Sequence, residues 1–276
     1  MAIATDMFRT QATQAGVRKL PLLLQIGLIT WRSLVTISRT PEALLPPVAI
    51  SIFFLVIYRS TLGGAANFLP GLSGSSYLGF ILPLSIVSSS LSGAGIAAQN
   101  LVRDVSSGYF NKLLLTPISR AALLLGPIFA GAVILGLQAS IVITAALLMG
   151  LESATGLPGL LAVIGLAVLL GTGFAGFTVS AALGSGSAAA TQGASFIFFP
   201  FTFLTASFVP LALLDGWLKT AAQFNPITYV LEAMRSLLNT GWDTEALLKG
   251  VVACLLLAVA MYALAIFSLR VRTRRS

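Results

Sequence analysis

Six stretches of this chain, at about 43–61, 75–98, 121–149, 158–183, 192–213 and 246–269, approach or exceed the roughly 20 apolar residues a helix needs to cross a bilayer. In hydrocarbon every backbone N–H and C=O must find its partner within the protein, so uninterrupted apolar runs of this length form helices. With 57% hydrophobic and 9% charged residues over 276 positions, little chain is left for a separate soluble domain. The sequence predicts an all-α integral membrane protein with six transmembrane helices. Residues 1–42 precede the membrane body, 43–269 form it, and 270–276 are a basic tail.

The basic residues orient this body. Arg9, Arg18, Lys19, Arg32 and Arg39 precede the first run, Arg103, Lys112 and Arg120 lie between the second and third, and Arg270, Arg272, Arg274 and Arg275 follow the sixth. With six crossings these regions share one side. Retention of Lys and Arg on the cytoplasmic side makes that side the cytoplasm, with both termini inside. The opposite side receives only Arg59, Lys219, Arg235 and Lys249. The net charge of +8 therefore reflects topology and contact with anionic lipid, and a nucleic-acid partner is a poor reading of it.

Most site chemistry is excluded by what the chain lacks. It has no histidine, and its single cysteine, Cys254, lies in the sixth run, so neither a disulfide framework nor a His-based metal site is available. Nowhere does Gly-Lys occur, so the backbone cradle of a phosphate loop is missing. Residues 1–20 show no apolar signal-peptide core, and insertion is expected to use the first run.

Residues 22–39 place Gln25, Arg32, Thr36 and Arg39 on one helical face and Leu24, Leu28, Trp31 and Val35 on another, which predicts a helix lying in the membrane interface. The chain then turns inward at Thr40-Pro41-Glu42, where Thr40 can cap and Pro41 suits a first helical position. Pro46, Pro47, Pro83, Pro127 and Pro200 are expected as kinks inside spans. Gly176, Ser180 and Gly184, spaced by four, predict close packing of the fourth span against another helix of the same subunit.

Two segments exceed what spans and short connections require. Between the second and third runs lies RDVSSGYFNKLLLTPISR, in which Arg103 and Asp104 open a polar island, Gly108 breaks it, Lys112 comes next, and Thr116-Pro117 with Ser119-Arg120 start the third span. Before the sixth run, Asn225 can cap and Pro226 can open a helix with Ile227, Val230, Leu231, Met234 and Leu237 on its apolar face. Its polar stripe carries Thr228, Glu232, Arg235 and Asn239, with Glu232 and Arg235 spaced to pair. Too short to cross, this segment is expected to dip into the outer leaflet and return.

These two segments resemble known ones. The first is similar to the R-E-x-x-x-G…T-P-x-x-R coupling region of type-2 ABC exporter permeases, and TASFVPLALLDGWLKTAAQFNPITYVLEAMRSLL is similar to their late S-x-x-x-P…W…N-P-x-T-Y…A-x-R segment. The nearest group is the daunorubicin-resistance-type drug and lipid export permeases. Asp104 stands where that family more often has Glu. By contrast, Leu91-Ser92-Gly93-Ala94-Gly95 mimics the opening of an ABC ATPase signature inside a hydrophobic run and is read as packing.

The resemblance implies that two permease subunits, either two copies of this chain or this chain and a related one, form a path for a hydrophobic or amphipathic substrate. A separate cytoplasmic ATPase, which binds ATP and Mg, pushes on the helix after the second span. The chain itself is then no enzyme and holds no cofactor. Residues 101–118, with Arg103, Asp104, Gly108, Lys112, Pro117 and Arg120, and the interfacial helix with Arg32 and Arg39 are expected to dock that ATPase. The Phe-rich fifth run offers Phe199, Phe203 and Phe208 for the substrate path, although aromatic residues at such spacing more often fill a core. A lipid-linked glycan is an alternative substrate. A gradient-driven carrier or channel is a poorer reading, because the middles of the six runs contain no ionisable residue.

Overall fold

The computed structural model describes residues 20–40, 44–62, 77–116, 118–197, 199–205, 211 and 214–275. Among them four helices are long and apolar enough to cross a membrane: α3 (Tyr77–Ser106), α5 (Arg120–Leu148), α6 (Gly156–Ser185) and α11 (Thr244–Arg275). At 1.5 Å per residue each reaches about 45 Å, beyond the roughly 30 Å of hydrocarbon. The ends of α3, with Arg103 and Asp104 in its last turn, therefore extend past the apolar layer.

Preceding them are α1 (Leu22–Ser38) and α2 (Leu45–Leu62), the latter about 27 Å long. The expected start at Pro41 is not where α2 begins. Pro41 and Glu42 lie outside the described residues, and the Thr40 hydroxyl bonds back to the Ile37 carbonyl at 3.2 Å, closing α1 instead of capping α2. Pro46 and Pro47 fall in the first turn of α2, where a missing N–H has no intrahelical partner to lose, so they start that helix and do not kink it. Pro83 and Pro127 are internal to α3 and α5, as expected.

The expected fifth span over 192–213 is not one helix. Its described residues form α7 (Ala188–Ile197) and α8 (Phe199–Phe203), and Leu204 and Thr205 leave the helix. Pro200, expected as a kink within this run, falls in α8 and offers no N–H to the Phe196 carbonyl four residues back. Phe208 lies outside the described residues.

α3 runs through the centre and is the most enclosed of the long helices, packing on α2, α5 and α6. α6 in turn lies against α11. A Cβ on Gly176 would come within 3.0 Å of the Met261 backbone, and the Ser180 and Ser268 hydroxyls meet at 2.7 Å. The small-residue stripe therefore packs within the subunit, except at Gly184, which has open space around it. Gly93 and Gly95 of the false signature likewise serve packing, facing Gln138 and Leu135 of α5 and Ser195 of α7 respectively.

The apolar core has two main parts. The larger joins α3, α5 and α6 to Ile227, Val230, Leu231 and Met234 near one end. The smaller, at the Arg-rich end, gathers Ile29, Leu101, Val102, Phe110, Leu123 and Leu269.

Candidate functional site

At the Arg-rich end three helices converge. The left-handed Gly108 (φ +70°) turns the chain sharply out of α3 into the short helix α4 (Tyr109–Leu114), a conformation that strains any residue with a Cβ. Phe110 anchors α4 in the smaller core at 2% exposure. α1 lies alongside with its apolar Leu24, Leu28 and Trp31 facing outward and Gln25, Ile29, Ser33 and Ile37 facing inward. That arrangement suits a helix bathed in lipid on one side and bound to polar groups on the other.

The inward groups make specific bonds. Gln25 accepts from the Ser119 N–H at 2.8 Å and donates to the Leu20 carbonyl at 2.7 Å, while Ser119 caps α5 by accepting from Ala122 N–H at 3.1 Å. Thr30 donates to the Gly126 carbonyl at 3.2 Å. Gly126 is required there, because a Cβ would sit 2.3 Å from the Ile29 methyl.

Arg32 and Asp104, expected as separate contacts for a partner, hold each other. Arg32 Nη1 donates to Asp104 Oδ2 at 2.9 Å and Nη2 to Oδ1 at 2.5 Å, the two-pronged geometry that a guanidinium makes with a carboxylate. The same guanidinium lies 4.2 Å from the centre of the Tyr109 ring. One side chain thus ties α1, α3 and α4 together. The hydrogen bond to Asp104 raises the Arg32 pKa above its ordinary value. The other basic candidates are displayed: Arg39, Arg103, Lys112 and Arg120 are exposed, and Leu115 beside them is 89% exposed. Pro117 lies outside the described residues.

Farther along α3 a cleft of about 320 Å³ opens between α2, α3, α7 and α8. Pro46, Pro47 and Phe54 line one wall, and Ser88, Ser92 and Gln99 run down α3 opposite. Ser195 and Phe196 of α7 complete it, and Gln99 Nε2 donates to Gln192 Oε1 at 2.9 Å across the Arg-rich end of the opening. Among the described residues no Asp, Glu, Lys or Arg lines this cleft. Of the aromatic candidates, Phe203 is half exposed and borders a smaller adjoining hollow with Phe54 and Ser88. Phe199 belongs to α8, and its side chain lies outside the described residues. Neighbouring Ser85, Ser89 and Ser90 spread hydroxyls around the helix and hide, in the sequence, the stripe formed by Ser88, Ser92 and Gln99. Their 4- and 7-residue spacing was the available signal.

At the far end the returning segment forms two helices, α9 (Gly216–Phe224) and α10 (Pro226–Arg235), followed by a π-helical turn at Ser236–Thr240. Asn225 joins them. Its Oδ1 caps α10 by accepting from Ile227 N–H at 3.0 Å, and its Nδ2 donates to the carbonyls of Phe201 and Leu204 at 2.7 and 3.0 Å. Those carbonyls lie at the end of α8.

The expected apolar face of α10 is buried, but so is part of its polar stripe. Thr228 is fully buried, and Arg235 is 8% exposed with its guanidinium 3.7 Å above the Phe80 ring and Nε donating to the Phe80 carbonyl at 3.0 Å. Glu232 is half-buried. Asn225 and Arg235 thereby lock the returning segment onto α8 and α3, while Pro226 opens α10.

Residues 24–239 match the ABC-2 type transporter family. The chain is 26% identical over 211 residues to the probable doxorubicin resistance ABC transporter permease protein DrrC of Mycobacterium tuberculosis, covering 76% of this chain and 75% of that protein. It is 25% identical over 230 residues to the daunorubicin resistance ABC transporter permease protein DrrB1 of Streptomyces coeruleorubidus, covering 81% and 77%. A putative transport permease, ycf38, of Pyropia yezoensis is 27% identical over 238 residues, covering 83% and 79%. The match takes in α1, the Arg32–Asp104 junction, the cleft and the Asn225 clamp, and the chain belongs to the ABC-2 type transporter family.

Proposed function

We propose that this chain is a six-span permease subunit of an ATP-driven exporter in a bacterial cell membrane, with both termini cytoplasmic, moving hydrophobic or amphipathic molecules such as drugs or lipids. It works beside a second permease subunit and is driven by a separate ATPase that binds ATP and Mg. In this reading α2 and the α7–α8 segment supply the two crossings that helix length alone leaves open.

The observation that carries the reading is that α3 serves both ends of the task. Its last turn holds Asp104, fastened to Arg32 of α1 and through it to Tyr109 of α4, and its middle forms the polar wall of the uncharged cleft. A push on the exposed surface of α4 would be delivered through the Arg32 fork to α1 and α3 together, and through α3 to the cleft. A continuous packed helix is the kind of element that transmits such a displacement. Exposed Arg103, Lys112 and Leu115 offer the ATPase its contact, while Arg32 and Asp104 hold the contact surface in place.

The test is co-purification from the native host followed by vanadate-sensitive ATP hydrolysis. Charge reversal at Arg103 and Lys112 together is expected to strip the ATPase from an intact permease. Retention of a stoichiometric ATPase with unchanged transport by that variant would remove α4 from the docking site. A permease that carries substrate with no ATPase bound would overturn the ATP-driven reading altogether.

A further inference from the structure

The cleft has a hydrogen-bonding character of its own. Ser51 donates to the Pro47 carbonyl at 2.8 Å, Ser88 to Leu84 at 2.8 Å, Ser92 to Ser88 at 3.0 Å and Ser195 to Thr191 at 3.2 Å, each one turn back along its helix. A hydroxyl has one proton and two acceptor lone pairs. With each proton spent on a carbonyl, what these serines have left to offer is acceptor oxygen. The opposing wall is apolar at Pro46, Pro47, Ile50 and Phe54; neutral amide donors remain on Gln99 and Gln192 at the Arg-rich end, and among the described residues no cation lines the cleft to balance an anion.

From this we propose that the cleft selects amphiphiles whose head groups donate hydrogen bonds and carry no negative charge, such as hydroxyl-rich or ammonium heads, and discriminates against phosphate heads. The serine oxygens of α3 and α7 read the head while the α2 wall takes the apolar part. The proposal rests on the cleft being the substrate path. The head-group preference is a property of Ser88, Ser92 and Ser195 in particular.

A cysteine reporter separates the two claims. Cys254 is fully buried, so Cys254→Ser with Ile50→Cys, a position 52% exposed on the apolar wall, places one accessible thiol in the cleft. The protein in lipid nanodiscs is labelled with a maleimide in the presence of one alkyl chain bearing a glucose, an ammonium or a phosphate head. Glucose and ammonium heads are expected to protect the thiol at several-fold lower concentration than the phosphate head. Ser88→Ala, Ser92→Ala and Ser195→Ala should each weaken that protection by about threefold to tenfold, the range of one hydrogen bond, and leave the phosphate series unchanged. Ser92→Lys should bring phosphate protection up.

Equal or better protection by the phosphate head, or serine changes that weaken all heads alike, would overturn the head-group preference while leaving the cleft as the path. Absence of protection by every head would overturn the path itself and this proposal with it.

Discussion

The Arg32–Asp104 fork makes a quantitative prediction. A charge-assisted hydrogen-bonded pair contributes about 1.5–3 kcal/mol when water is excluded, and an exposed ion pair about 0–1 kcal/mol. With side-chain exposures of 37% for Arg32 and 18% for Asp104 the pair falls between these limits, so a coupling of about 1 kcal/mol is expected. The contact with the Tyr109 ring adds roughly 0.5–1 kcal/mol that belongs to Arg32 alone. Asp104→Ala should therefore cost about 1 kcal/mol, Arg32→Ala about 2 kcal/mol, and the double variant no more than Arg32→Ala by itself. Arg32→Lys should fall between wild type and Arg32→Ala, since an ammonium can neither fork onto two carboxylate oxygens nor stack flat on the ring. The assay is reversible unfolding in mixed micelles, analysed as a double-mutant cycle. Single effects that add in the double variant to within about 0.3–0.5 kcal/mol would show the two residues to be energetically independent and would refute the fork as the tie between α1 and α3.

Asn225→Ala removes a helix cap and both donors to α8, and is expected to lower stability by about 2–3 kcal/mol; Asn225→Asp keeps the cap and loses the donors, so its wild-type behaviour in thermal unfolding would show that the bonds to Phe201 and Leu204 contribute nothing. Gly126→Ala should cost about 1–3 kcal/mol by forcing Ile29 aside, with substantial rescue by Ile29→Ala, whereas Gly184→Ala, with open space around it, should be within about 0.5 kcal/mol of wild type in the same measurement. Arg235→Met should loosen the returning segment, seen as faster proteolysis near residues 214–225 in folded protein; an unchanged cleavage rate would separate Arg235 from that lock. Cys254 should resist maleimide until the protein is denatured.

Much of this was legible in the sequence because it rests on local rules. The start of α5 is written in Ser119, the start of α10 in Asn225-Pro226, and the exit from α3 in Gly108, each a residue type whose side chain or backbone freedom suits that position. On α1 the polar residues Gln25 and Arg32 were also legible as a stripe, but the inward face, which is Gln25, Ile29, Ser33 and Ile37, was not, nor was the use of the stripe. A stripe of Gln25 and Arg32 looks the same whether it awaits a partner or is already satisfied within the chain, and only tertiary structure brings Ser119 and Asp104 to it.

The fifth run shows the complementary failure. Hydropathy sums over residues and cannot register where a helix ends, so 192–213 reads as a continuous span although the chain leaves the helix at Leu204. The last carbonyls of a helix need partners where the surroundings are apolar. Here Asn225, more than twenty residues away and read from sequence as merely the cap of the next helix, meets those of Phe201 and Leu204. The end of α8 and the start of α10 are therefore coupled, because the one Asn225 side chain bonds both. Pro200→Ala would restore an N–H for the Phe196 carbonyl and leave the Phe201 and Leu204 carbonyls as they are, so its effect should add to that of Asn225→Ala in thermal unfolding. If the two substitutions instead prove strongly non-additive, the Asn225 clamp depends on the backbone at Pro200 as well as on the end of α8.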